Sequence, residues 1–171
     1  MTPALLGSRM PVIHPAELSR LLAAHGPPLA LLARQWCDAA EDVVQEAFVR
    51  LAEQNPPPDN PVAWLYRVVR NGGISMARAV GRRRRHEVEA GQLHAEWFEP
   101  TAADALDAEL AAAALAELPV EQRETVVLRL WSGRSFEEIA TLTDTSTSTA
   151  HRRYQAAIAA LRQRLGADQT R

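Results

Sequence analysis

In residues 38–54, DAAEDVVQEAFVRLAEQ, the apolar residues Val44, Ala47, Phe48 and Leu51 recur at intervals of three and four, with Asp42, Gln45, Glu46 and Glu53 between them. That interval is the helical period, and a helix with one apolar side must bury it against other elements. The same period returns along most of the chain, and alternating strand patterns are nearly absent. Pro15 to Ala24 reads as a first helix carrying Leu18, Leu21 and Leu22 on one side. HGPPLA, residues 25–30, reads as a break, or as prolines opening a second helix that runs to about Cys37. NPPPDNP, residues 55–61, stops the 38–54 helix. Pro61 or Val62 then opens a helix with Trp64, Leu65, Val68 and Val69 inside, and Gly72-Gly73 is expected to weaken or bend it. Further on, LPVEQRETVVLRLWSG has Pro119 near a helix start, Val126, Val127 and Leu130 as apolar residues, and Gly133 past the end. Ser135 and Glu138 form a capping-box pattern before a short helix. After DTSTS a long last helix places Ala150, Tyr154, Ala157, Ile158, Leu161 and Leu165 on one stripe.

Charge is distributed unevenly along this helical frame. Pro61–His86 holds seven arginines and no acid, whereas Glu87–Gln122 holds nine acids and no Lys or Arg. From Thr145 onward there are five arginines against one Asp. A basic, acidic, basic order suits two polyanion contacts separated by a linker, although the net charge is only −2. The expected architecture is all-α: two small helical domains joined by an acidic linker, the second containing a helix-turn-helix. The expected boundaries are a flexible leader at 1–13, an N-terminal helical domain at 14–87, a linker at 88–108 and a C-terminal domain at 109–167.

Other function classes receive little support. No apolar run reaches the roughly 18 residues of a membrane helix, and no secretion signal is visible. The one cysteine, Cys37, lies in an apolar helical setting and reads as a buried, inert thiol. These features favour a cytoplasmic protein. The five histidines are scattered without metal-ligand spacing, and neither a GxSxG elbow nor a phosphate-binding glycine loop occurs. No enzymatic activity, metal or cofactor is expected.

The segment from Ser135 onward reads as a capped short helix, a turn and a longer basic helix, which is a helix-turn-helix pattern. Its second helix would present Thr147, Ser148, Thr149, His151, Arg152 and Arg153 to a major groove, while Tyr154, Ile158 and Leu161 face the core. A plain amphipathic hairpin has the same pattern.

AEDVVQEAFVRL, PVAWLYRVVRN and LPVEQRETVVLRLWSGRSFEEIA occur in this order. Together they resemble the bacterial sigma factors of the extracytoplasmic-function (ECF) group, over about Leu18 to Leu165. The resemblance implies an N-terminal domain that binds core RNA polymerase and the minus-ten promoter element, and a helix-turn-helix that binds the minus-thirty-five element. It implies polymerase docking by Asp42, Gln45 and Glu46, and minus-ten contacts by Arg67, Arg70, Asn71, Arg78, Arg82, Arg83, Arg84 and Arg85. It implies minus-thirty-five contacts by Thr147, Ser148, Thr149, His151, Arg152 and Arg153, and admits an anti-sigma factor as a further partner. For Asn71 a contact to an unpaired base and a plain helix cap remain equal readings. Asp144 stands where the family's turn usually has glycine; because Asp tolerates the left-handed region, the turn is expected to survive. The alternative is a helix-turn-helix regulator that acts without polymerase, which would have no use for the 38–70 segment.

Overall fold

The computed structural model describes residues 13–86, 111 and 113–168, with the backbone alone at 83–86 and 167–168. Among the described residues every regular element is a helix, the main ones being α1 (Pro15–Ala33), α2 (Ala40–Glu53), α3 (Pro61–His86), α4 (Val120–Leu130), α5 (Phe136–Thr143) and α6 (Thr147–Asp168), with further helical residues at 111 and 113–116. The 88–108 linker lies outside the described residues, as does the leader up to residue 12. Ile13, at the end of that leader, is buried in the core.

Helices α1, α2 and α3 pack on one another and form the first unit. His14 caps α1, its Nδ1 accepting from the Ala16 N–H at 3.2 Å, and Pro15 occupies the first helical position. The expected break at HGPPLA does not occur: Pro27 and Pro28 sit inside α1. An interior proline costs roughly 3 kcal/mol. Burying a Leu gains about 1.5–3 kcal/mol, and Leu29 and Leu32 just beyond the prolines are wholly buried. Packing of that turn therefore offsets much of the cost of the two prolines, and the helix continues through them. α1 ends at Ala33, and the chain to Cys37 is a turn tied to the Ala33 carbonyl by the Trp36 and Cys37 N–H groups. Cys37 is half-buried, and its thiol is pushed up chiefly by burial. In α2 the buried face is Ala40, Val44, Ala47, Phe48 and Leu51, matching the expected stripe.

Asn60 caps α3, its Oδ1 accepting from the Ala63 N–H at 3.0 Å. The helix then runs through Asn71, Gly72 and Gly73 without stopping. The glycines do not end the helix. A Cβ on Gly72 would come within 2.9 Å of Val43 Cγ1, and one on Gly73 within 3.1 Å of Trp36 Cβ. They let α3 lie close on α2 and on the turn after α1.

The second unit is α4, α5 and α6, with α4 and α5 both packed on α6. In α4 five consecutive residues, Glu124 to Leu128, are buried. Consecutive burial means that the helix is covered on more than one side: α6 lies against it from its own unit and α1 from the other. Leu128 is inside, whereas Leu130, expected there, is exposed. α5 in turn contacts α3. One apolar cluster thus runs from Leu29, Leu51 and Leu65 through Val127 and Leu128 to Ile139 and Ala150. A second holds Leu118, Val126 and Ala157, with Tyr154 and Leu161 packed against it.

The glycine contacts give a direct test. Ala normally improves a helix over Gly by about 1 kcal/mol, whereas forcing a methyl into a filled contact costs roughly 1–3 kcal/mol. Gly73→Ala and Gly72→Ala are expected to lower the thermal midpoint. Gly81→Ala, whose Cβ would meet nothing within 4 Å, is expected to raise it.

Candidate nucleic-acid and polymerase interface

The polar side of α2 and one stripe of α3 meet in an open cleft. Asp42, Glu46 and Arg50 line it from α2; Asn71, Ser75 and Met76 line it from α3. Asp42, Gln45 and Glu46 are all exposed. Glu46 also accepts from Arg50 Nε at 2.8 Å, a pair in which both side chains are 58% exposed. Such a surface pair contributes little stability, so a charged partner can take its place.

On α3, Arg67, Asn71, Arg78 and Arg82 are separated by four, seven and four residues, which puts them on one stripe. All four are exposed. The side chains of Arg83, Arg84 and Arg85 lie outside the described residues. Arg70 is placed differently. Its Nε donates to Glu124 Oε1 at 2.6 Å, and a terminal nitrogen to Oε2 at 3.3 Å. The Glu124 side chain is 1% exposed and that of Arg70 18%. Burial pushes the Glu124 carboxyl up, and the Arg70 guanidinium opposes that shift. In this arrangement Arg70 is turned away from the stripe and into the seam between the two units.

The helix-turn-helix is built as its sequence implies. Ser135 Oγ accepts from the Glu138 N–H at 3.2 Å, and Glu138 Oε2 accepts from the Ser135 N–H at 2.7 Å, closing the capping box. Asp144 takes the left-handed conformation at φ 52°, and the Thr145 N–H returns to the Ala140 carbonyl at 2.9 Å. Ser146 caps α6 by accepting from the Thr149 N–H at 3.1 Å. Its hydroxyl also lies 3.0 Å from that of Ser148 and 2.8 Å from that of Thr149. Thr147, Ser148, His151 and Arg152 are exposed at this end of α6, and Thr149 and Arg153 are half-buried. The His151 ring stands edge-on to Phe136, centroids 5.0 Å apart, which fixes its direction. The result is a donor-rich helix end held on a rigid turn, with the size and chemistry to read a groove.

Comparison with known proteins agrees with this layout. Residues 21–84 match the family described as Sigma-70 region 2, and residues 108–161 match Sigma-70, region 4. The chain belongs to the sigma-70 family, in its ECF group. It is 35% identical over 118 residues to the ECF RNA polymerase sigma factor EcfG of Rhodopseudomonas palustris (strain TIE-1). That match takes in 66% of this chain and 63% of the relative, so the chain spans less than two thirds of that relative's length. Among solved structures it resembles the sigma factor RpoE of Bartonella quintana, crystallised with the anti-sigma factor NepR. That likeness has 28% identity and a TM-score of 0.72, and covers 88% of this chain and 96% of that one. It also resembles CnrH, solved with the cytosolic domain of CnrY, at 27% identity and a TM-score of 0.62 over 91% of each chain.

In family terms, the α2–α3 cleft lies in region 2 and the helix-turn-helix in region 4. Three features of this sigma-70 chain were missed in sequence. The glycine pair serves helix packing, Ser146 is a cap, and Glu124 is a buried ion-pair partner. Glu124 did carry a signal, because a carboxylate three and four residues before Val127 and Leu128 shares their apolar face.

The turn yields a prediction of its own. Most non-glycine residues pay about 1–2 kcal/mol in the left-handed region, and Asp less than most. Asp144→Gly is therefore expected to raise the chain's thermal midpoint only slightly, and Asp144→Val to lower it sharply, as measured by thermal circular dichroism.

Proposed function

We propose that this chain binds core RNA polymerase and directs it to promoters, recognising DNA at two sites. The observation that carries this reading is the presence, on one chain and in order, of an exposed carboxylate face beside a cationic stripe and of a separate capped helix-turn-helix. Asp42, Gln45 and Glu46 are the docking residues, since a carboxylate-bearing helix face needs a basic partner to be more than a solvated surface. Arg67, Asn71, Arg78 and Arg82 face the minus-ten element, with Arg83, Arg84 and Arg85 extending the same charge. Cations there gain by releasing phosphate counterions, and the Asn71 amide can donate and accept at a base edge. Continuity of α3 through residue 71 supports base contact over capping.

At the other site Thr147, Ser148, Thr149, His151, Arg152 and Arg153 face the minus-thirty-five element. Among these, exposed Arg152 is the base or phosphate reader, and half-buried Arg153 contributes field more than contact. The two solved relatives with their partners support an anti-sigma factor as a further ligand of this chain. The chain acts in this scheme as an initiation factor with no chemistry of its own, in the cytoplasm. No described helix is long and apolar enough to cross a membrane.

Two measurements check this assignment. Asp42→Arg with Glu46→Arg is expected to abolish co-purification with core polymerase while leaving helix content unchanged; retained binding would remove α2 from docking. Arg152→Ala is expected to weaken binding to upstream promoter duplex by roughly 1–3 kcal/mol if it reads a base, with a smaller loss for Arg153→Ala. Equal affinity for all three proteins would take α6 out of DNA contact.

A further inference from the structure

Of the side chains from Thr147 to Arg153 at the start of α6, His151 alone carries a ring, and that ring has a support. It stands nearly perpendicular to the Phe136 ring, at 86° with centroids 5.0 Å apart, a preferred arrangement of aromatic pairs. Phe136 is itself fixed. It is the first residue of α5, directly after the capping box. Tyr154 of α6 meets its ring at 64° and 5.6 Å. The Arg129 guanidinium of α4 lies over the same ring, 5.0 Å from its centroid. A terminal nitrogen of Arg129 donates in turn to the Arg134 carbonyl at 2.9 Å, and Phe136 packs against the larger apolar cluster. Three helices thus hold one half-buried ring, and an exposed imidazole leans on it. The contact buries little of His151, but it sets the direction of the side chain. A group whose direction is set on folding does not lose that freedom again on binding.

We propose that Phe136 is a positioning residue that aims the His151 imidazole at a purine N7 in the major groove, so that His151 sets which base is accepted at one position. This deepens the helix-turn-helix reading above and rests on it. An imidazole carries an N–H donor in either protonation state. Adenine and guanine both present N7 as an acceptor at the groove edge. Where N7 would stand, thymine carries its methyl group and cytosine a C–H, and neither accepts a hydrogen bond. Arg152, exposed beside His151, ends a long side chain with several rotatable bonds and can reach a base or a phosphate. The fixed ring discriminates; the flexible cation adds affinity.

The test offers the full chain, alone and with core polymerase present, a pool of DNA duplexes with a randomised central segment, and reads the base preferences of the duplexes retained. Wild type is expected to prefer a purine on one strand at one position by roughly fivefold or more, the usual penalty of one mismatched pair. Phe136→Leu, which stays apolar but loses the ring, is expected to flatten that position and leave the others. Phe136→Tyr, which keeps the ring, is expected to retain the preference. His151→Ala is expected to flatten the same position, and adding Phe136→Leu to it is expected to change that position no further. An unchanged profile in Phe136→Leu would overturn the positioning, as would a loss spread evenly over all positions or a further loss in the double variant. Proton NMR of the wild type gives a readout that needs no variant to fold. The imidazole protons are expected to be displaced by the ring current of Phe136, and ordinary histidine shifts would overturn the contact. If the wild type selects among duplexes under neither condition, the helix-turn-helix reading fails and this role with it. If it selects but no position changes in His151→Ala, that reading stands and this role fails.

Discussion

The arrangement depends on the burial of α4. A helix whose residues 124–128 are all inside cannot be satisfied by its own small unit, and it finds its second covering surface on α1. This single constraint turns two helical units into one continuous apolar cluster and sets α5 against α3. It also brings a carboxylate into a buried place where Arg70 of the other unit pairs with it and Arg153 of its own unit adds a weaker attraction. Without Arg70, Glu124 would be a buried carboxylate stripped of its ion-pair partner, and breaking such a pair is strongly destabilising.

Helix α3 is where the demands of folding meet those of the proposed recognition. One side packs through Leu65, Tyr66 and Val69, all wholly buried. Two glycines let it approach α2 and Trp36, and the opposite stripe carries exposed arginines with Asn71 among them. Because the glycines are committed to packing, Asn71 is held within a continuous helix, and its amide projects from a fixed backbone. Rigid placement of a polar group beside a cleft is what a single-strand or groove contact requires, and the neighbouring carboxylates of α2 put the proposed polymerase contact within the same surface.

Local signals in the sequence carried most of this architecture. The amphipathic stripe of α2, the capping box of α5 and the left-handed tolerance of Asp144 each have a cause within a few residues, and each occurs in the structure as read. What the sequence did not disclose was non-local. Pro27 and Pro28 look like a break because their cost is local, whereas the burial of Leu29 and Leu32 that offsets it comes from other helices. Gly72 and Gly73 look like a helix end until Val43 and Trp36 are seen against them. Arg70 is indistinguishable in sequence from Arg67, and only the position of Glu124, 54 residues away, separates an inward guanidinium from an outward one. Of the candidate site, the exposure of Asp42, Gln45 and Glu46 on α2 and of Thr147, Ser148, His151 and Arg152 on α6 was legible, because it follows from the helical period. The division of the arginines between surface and seam was not.

The central claim is that one chain couples polymerase docking to recognition of DNA at two places. Transcription in vitro with purified core polymerase, followed by mapping of RNA start sites on a library of promoter fragments, tests it most directly. The account predicts discrete starts that depend on this chain and share two upstream sequence elements at a constant separation. Transcription that is indifferent to the chain, despite DNA binding by its helix-turn-helix, would contradict the account and leave a DNA-binding regulator in its place.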